Sequence, residues 1–370
     1  MSTARKIIKL PQPLEMYRGG VLESVELAYE TWGERREDNH VVIFTGLSPD
    51  AHAASSPENP EAGWWEAMVG PGKPIDSNRF HVICFNNIGS CFGSTGPASI
   101  NPATGERWSV DFPLLSIEDT ARAAAMALDA MGIKRMKAVI GPSMGGMTAL
   151  AFALQYPERV ENLISMSSAI AAEPWAIAVR SLQRELIRSD AAWQDGRYAH
   201  DAQPVEGMRL ARKLGMTTYR SAEEWRERFA RERIDVPAGE EKPGHPAFPQ
   251  EFAVESYLQA AADRFVGDFD ANCYQYLSHA MDLFDAAEHG SGNITRAFAR
   301  LRLRSALVMG VETDALFPVH QQLELAAALR KAGANVRFER LPSIQGHDAF
   351  LVDMERFAPL VAEYLATLDG

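Results

Sequence analysis

VIGPSMGGMTAL, residues 139–150, decides how this chain is read. An apolar run breaks into Gly-Pro-Ser-Met-Gly-Gly and then resumes as a helix-forming sequence. A chain that only needs a turn can use one glycine. Here a single hydroxyl, Ser143, stands between Gly141 and Gly145, with Gly146 directly after. A strand that turns sharply into a helix leaves one residue strained at the apex, and its neighbours two positions away must be small. This is the G-x-S-x-G nucleophile elbow. By itself the pattern also fits a glycine-rich turn whose serine caps a helix, so the surroundings must decide.

Outward from that stretch, strand and helix alternate. VVIFTGL (41–47), RFHVICFNN (79–87), KAVIG (137–141) and ENLISMSS (161–168) read as buried strands. IEDTARAAAMALDAMGI (117–133) and GMTALAFALQYPERV (146–160) read as helices. SALVMGV (305–311) and NVRFERLPS (335–343) resume the strands, and ERFAPLVAEYLATL (355–368) is the last helix. This alternation predicts a parallel sheet with helices on both faces. The pattern fails between Glu173 and Arg300, where the chain is helical, arginine-rich and interrupted by PAGEEKPGHPAFPQ (237–250). We therefore expect an α/β domain over 1–172 and 301–370, interrupted by a helical lid insertion over 173–300.

Bulk properties exclude other classes. The chain has 370 residues, 46% of them hydrophobic, and a net charge of −12, which argues against nucleic-acid or anionic-membrane partners. Three scattered cysteines make no disulfide framework, and no CxxC or HExxH pattern suggests a metal. Neither a signal peptide nor a long apolar run is present, so a cytoplasmic protein is expected.

A nucleophilic serine needs a base, and the base needs an orienting acid. In this architecture the acid and then the histidine follow the serine along the chain. Asp314 follows the strand at 305–311, and His347 follows the next one. Glu312 is the rival acid; Asp314 is preferred because it lies further into the loop. The oxyanion of a tetrahedral intermediate calls for two backbone amides. Met144, after the nucleophile, supplies one, and Leu47, after Gly46, supplies the other. His52, in the same loop, reads as structural.

GPGKPID (70–76), NNIGSCFGSTGPASINP (86–102), GPSMGGM (141–147) and GHDAFL (346–351), with GWW (63–65) and LARKLGMTTYRS (210–221), resemble the homoserine O-acetyltransferase family. That resemblance implies an α/β-hydrolase fold with a mostly parallel central sheet and an inserted helical lid, usually in a homodimer. It implies acyl transfer from acyl-CoA, as co-substrate rather than bound cofactor, to the hydroxyl of L-serine or L-homoserine. GLSPDAHA (46–53) and IAVRSLQRELIRSD (177–190) look most like the L-serine O-succinyltransferase branch, which serves cysteine biosynthesis. Homoserine acetyl or succinyl transfer, in methionine biosynthesis, is the main alternative. An esterase or thioesterase is the second, and a non-catalytic binding protein the third.

The resemblance also assigns residues. Arg212 matches a carboxylate-binding arginine, Asp348 an ammonium partner and Tyr219 a further substrate contact. Specificity falls to Ser48, Pro49, Asp50 and Ala51, and to Arg184 and Glu185. Pro142 is unusual at a position often held by glycine or asparagine. A succinyl group adds a carboxylate, which calls for another cation. Arg180, Arg184 and Arg188 lie four apart, hence on one helix face. One of Arg180 and Arg184 is expected to meet that carboxylate, with Glu185 nearby.

Overall fold

The computed structural model describes residues 4–199, 201–236 and 242–369. Residues 237–241 of the PAGEEKPGHPAFPQ stretch and His200 lie outside that set.

Eight strands form the central sheet: β1 (Lys6–Lys9), β2 (Glu26–Trp32), β3 (His40–Phe44), β4 (His81–Phe85), β5 (Ala138–Pro142), β6 (Asn162–Met166), β7 (Ser305–Val311) and β8 (Asn335–Leu341). Their spatial order is β1-β2-β4-β3-β5-β6-β7-β8. β2 is antiparallel to both its neighbours, and the pairs from β4 to β8 are all parallel. The fold is an α/β-hydrolase fold, as expected. The strand at 305–311 coincides with the run read from sequence and that at 138–142 is displaced from it by one residue, whereas those at 40–44, 81–85, 162–166 and 335–341 stop short of the end of their runs, which continue into loops at the carboxyl edge.

Successive strand residues point to opposite faces, and both faces are covered, so the runs are apolar throughout. Val42, Phe44 and Val139 join one core cluster. Val41, Ile43, Ala138 and Ile140 join the other. Helices α1 (Ile117–Ala130) and α2 (Met144–Gln155) lie against the first cluster. Ser116 caps α1 in a box with Asp119, whose Oδ2 accepts from the Ser116 amide at 2.8 Å.

Between β6 and β7 the chain builds α3 (Pro174–Ser189), α4 (Val205–Tyr219), α5 (Ala222–Phe229), α6 (Ala253–Phe265) and α7 (Ala271–Leu283). α3 packs on α4 and α7, and α4 packs on α6. The base of this insertion is pinched where Ala171 bridges Asp285 and the Ala286 amide reaches the Ile170 carbonyl at 2.8 Å. These contacts bring the two ends of the segment 171–285 together. After that point a turn at 286–290 packs on α2, and α8 (Ile294–Phe298) packs on α9 (Val319–Lys331). Short α10 (Ala349–Val352) and α11 (Met354–Ala366) complete the second face, with Phe357, Val361 and Leu365 buried in its core. No helix among the described residues is long and apolar enough to cross a membrane.

Candidate active site

Ser143 sits between the end of β5 and the start of α2 with φ 54° and ψ −125°. A non-glycine residue held there is strained, and strain of this kind persists only where the surroundings fix it. The surroundings are glycines. A methyl group on Gly141 would lie 2.0 Å from the Gly145 carbonyl oxygen, and one on Gly145 would lie 2.1 Å from that of Phe44. One on Gly146 would meet the Ser168 side chain at 2.5 Å. The Ser143 amide anchors the turn by donating to the Met166 carbonyl at 2.9 Å. Local sequence therefore forces the hydroxyl out over the carboxyl edge of the sheet.

Two later loops meet it there. His347 Nε2 lies 2.9 Å from Ser143 Oγ, and His347 Nδ1 lies 2.8 Å from Asp314 Oδ2. The other Asp314 oxygen accepts from the amides of Leu316 and Phe317 at 2.9 and 2.8 Å. That carboxylate is fixed by backbone and aimed at the imidazole. Phe317 stacks on the ring at 5.1 Å and Phe350 meets it edge-on at 5.5 Å. Burial disfavours imidazolium, but the charge and hydrogen bond of Asp314 outweigh it, and the His347 pKa is raised. The rival acid, Glu312, lies in an ion pair with Arg340 at 2.6 Å, outside this constellation. His52 pairs with Glu30 at 2.8 Å.

Gly46 and Leu47 border the same cavity as Ser143 and His347. Asn87 holds this loop by donating to the Gly46 carbonyl at 2.9 Å. Among the described residues, no turn or cap hydrogen bond uses the amide of Leu47 or of Met144. Both remain available to an oxyanion.

The cavity between the sheet edge and the helical insertion has a volume of about 160 Å³ and opens to solvent. Arg212 and Tyr219, from α4, and Asp348, beside the histidine, all line it. The Arg212 guanidinium lies over the Phe265 ring at 4.3 Å and the Tyr219 ring at 5.6 Å, and its Nε is buried without a partner. Burial raises the Asp348 pKa, against the charges of Arg220, His347 and Arg212, which lower it.

The specificity residues divide. Ser48 and Pro49 line the cavity. Asp50 and Ala51 do not: the Asp50 side chain pairs with Arg5 at 2.7 Å, and Ala51 is packed in the interior. The Asp50 carbonyl accepts from the Trp64 indole at 3.0 Å, and Trp64 borders the cavity. Arg184 and Glu185 also stand off the cavity lining. Arg184 is absent from the lining because it binds Asp282 at 2.6 Å and Ser278 at 2.9 Å. Glu185 is exposed to solvent, on a turn of α3 that does not face the cavity. Arg180 does line it, together with Gln183, Tyr274 and Pro142. Sequence reading missed Arg220, which holds Asp348 at 3.3 Å, and Asp282, which gathers two arginines from α3. Neither carries a local signal, since each partner lies 98 residues or more away along the chain or, for Arg220, on a separate loop.

A family model described as alpha/beta hydrolase fold matches residues 39–353. The chain is 57% identical over 368 residues to a protein of Litchfieldella anticariensis named serine O-succinyltransferase, covering 99% of each. It is 54% identical to the L-serine/homoserine O-acetyltransferase of Streptomyces lavendulae, over 98% of this chain and 97% of that one. The crystal structure of homoserine O-acetyltransferase from Bacillus anthracis superposes with a TM-score of 0.87 at 30% identity, covering 98% of both chains.

Proposed function

The chain belongs to the homoserine O-acetyltransferase family of α/β-hydrolase-fold acyltransferases, and from that premise we propose that it transfers succinyl from succinyl-CoA to the hydroxyl of L-serine. The observation that carries this reading is full-length identity of 52–57% to seven relatives named serine O-succinyltransferase. The site's geometry supports the chemistry.

Ser143 attacks the thioester carbonyl while His347 Nε2 takes its proton. Asp314 holds the tautomer and stabilises the imidazolium. The amides of Leu47 and Met144 receive the oxyanion, each worth about 3–4 kcal/mol in comparable sites. The carbon–sulfur bond breaks, the proton passes to the departing CoA sulfur, and a succinyl-serine ester remains on the enzyme. His347 then deprotonates the acceptor hydroxyl, whose oxygen attacks the ester. The proton returns to Ser143 Oγ.

Water competes for that ester. Transfer prevails only if the acceptor is held in place, and effective molarities of about 10⁵ to 10⁸ M are reachable by positioning. Arg212 suits the acceptor carboxylate and Asp348 its ammonium group, and Tyr219, whose ring lies 5.6 Å from the Arg212 guanidinium, is a further contact. Acyl-CoA acts as a co-substrate and no resident cofactor is required. The enzyme works in the cytoplasm, where acyl-CoA is made, as a homodimer and without nucleic-acid or membrane partners.

A second reading, acetyl transfer to serine or homoserine, is favoured by the Streptomyces relative. Mass spectrometry of products from a two-by-two panel, serine or homoserine against succinyl-CoA or acetyl-CoA, separates them. O-succinylserine as the dominant product supports the proposal, and an acetylated product or free succinate rejects it.

A further inference from the structure

Cys91 and Cys273 stand far apart along the chain, yet the fold sets them side by side. Cys91 lies in the loop between β4 and α1, on the sheet domain, and Cys273 in the first turn of lid helix α7. Both are free, and their side chains are hydrogen-bonding neighbours. Asp270 holds the pair together. Its amide donates to Cys91 Sγ at 3.4 Å, and its Oδ1, which caps α7, accepts from the Cys273 amide at 3.0 Å. The flanking residues are packed as firmly. Phe92 meets Phe269 edge-on at 5.5 Å, and Arg107 pairs with Asp270 at 2.9 Å.

The two sulfurs differ in access and in acidity. Cys91 is partly exposed and borders a surface cavity with Arg107, Asp268 and Asp270. Cys273 is sealed in the core. The hydrogen bond from the Cys273 thiol lowers the Cys91 pKa against the effect of burial, and the Asp270 amide assists. Burial pushes the Cys273 thiol well up. Thiolate character and access together select the sulfur that a peroxide oxidises. The pair therefore has an attacking sulfur at the surface and a resolving sulfur directly behind it. Cys84, the third cysteine, is fully buried in the central sheet.

We propose that Cys91 and Cys273 form an oxidisable dithiol whose disulfide staples lid helix α7 to the loop after β4. This goes beyond the acyl-transfer reading and holds for either acyl donor. With hydrogen peroxide as oxidant, the Cys91 thiolate attacks one peroxide oxygen and the O–O bond breaks. Hydroxide leaves, takes up the proton that Cys91 released, and becomes water. Cys91 is now a sulfenic acid. The Cys273 sulfur attacks the Cys91 sulfur, the S–S bond forms, and the S–O bond breaks. The departing hydroxide takes the Cys273 proton as a second water. Two thiols have lost two electrons, and one peroxide has become two waters. In a reducing compartment such a pair rests as thiols and oxidises transiently. The staple adjoins the active site, because Tyr274, the residue after Cys273, borders the cavity that holds Ser143.

The test exposes the full-length protein to graded hydrogen peroxide and maps its peptides without reduction. Wild type is expected to yield a linked Cys91–Cys273 peptide, about 2 daltons lighter than its two thiol peptides together. Dithiothreitol should reverse the change. Cys273→Ser should stop at a Cys91 sulfenic acid that dimedone traps, and Cys91→Ser should leave Cys273 reduced at doses that link wild type fully. The melting temperature of oxidised wild type should rise by about 5 °C, since the bond closes a long stretch of chain. Wild type in which Cys91 is oxidised singly and never linked would overturn the proposal. So would a Cys91→Ser variant whose Cys273 oxidises as fast as before, or a melting temperature that falls on linkage.

Discussion

Arg220 Nε lies 3.3 Å from Asp348 Oδ2, so the corner after α4 grips the residue adjoining the catalytic-site histidine. The same corner is tied to that loop twice more. Arg220 Nη1 donates to Gln345 at 2.7 Å, and Ser221 donates to the Ile344 carbonyl. Gly346 makes the approach feasible, since with φ at 65° a methyl there would sit 2.8 Å from the Tyr219 carbonyl oxygen.

This grip yields the first prediction. Burial raises the Asp348 pKa, and Arg220 is the largest influence opposing it. Arg220→Ala should therefore push that carboxyl further toward its neutral form and weaken its hold on an ammonium group. KM for serine is expected to rise about tenfold, the scale of weakening one hydrogen bond to a charged group. The burst of CoA release that reports acyl-enzyme formation should change far less. A burst reduced as strongly as serine affinity would assign Arg220 to the architecture of the whole site instead.

The pH profile follows from His347. General-base action needs the neutral imidazole, and its pKa is raised above the ordinary 6.5 by Asp314 despite burial. kcat/KM for the acyl donor should fall as pH drops through that raised value. Asp314→Asn removes the cause, so the acid limb should shift to lower pH while the rate falls about 10⁴-fold. An acid limb that stays in place would point to another titrating group.

Ser143→Ala tests the nucleophile without disturbing the fold. The substitution removes one oxygen that contacts His347 and nothing of the glycine packing around it. Turnover is expected to fall by about 10⁶-fold, as for serine nucleophiles of comparable sites. Intact-mass spectrometry should show a 100-dalton adduct, the mass of a succinyl group, on wild type given succinyl-CoA without acceptor. It should show none on the variant, and the melting temperature should be close to that of wild type.

A fourth prediction concerns acid stability away from the site. His81 and His40 meet through their Nδ1 atoms at 3.0 Å, an arrangement that accepts only one shared proton. Burial, then the charge of His40, pushes the His81 pKa down to about 4. The unfolded chain binds protons near pH 6.5, and the folded one resists until about 4. Stability should therefore be lost as pH falls across that window. His81→Gln should narrow the difference between melting temperatures at pH 7.5 and pH 5. An unchanged difference would assign the acid sensitivity elsewhere.

What could be read early was whatever is local or ordered along the chain. Gly141, Ser143 and Gly145 declare the elbow because their constraint spans five consecutive residues. Asp314 and His347 were legible because each follows a strand, and strands in a parallel sheet deliver their carboxyl ends to one edge. The contacts made by the residues after Asp285 were not legible. Residues 286–298 are helical like the insertion itself, and only their packing on α2 and α9 returns them to the sheet domain. The role of the arginines was open for a similar reason. Spacing placed Arg180, Arg184 and Arg188 on one face of a helix, but spacing does not say what that face meets.

The amino-acid sequence by itself determined the fold class, the strained turn and the identity of the three groups that meet over it. Backbone sterics and the two-residue alternation of buried strands act within a few positions. Only the tertiary structure decided which arginine of α3 reaches the cavity. Asp282, 102 residues from Arg180, neutralises one guanidinium's worth of charge between two. Electrostatic balance at a buried site is a sum over neighbours in space, and no stretch of chain contains that sum.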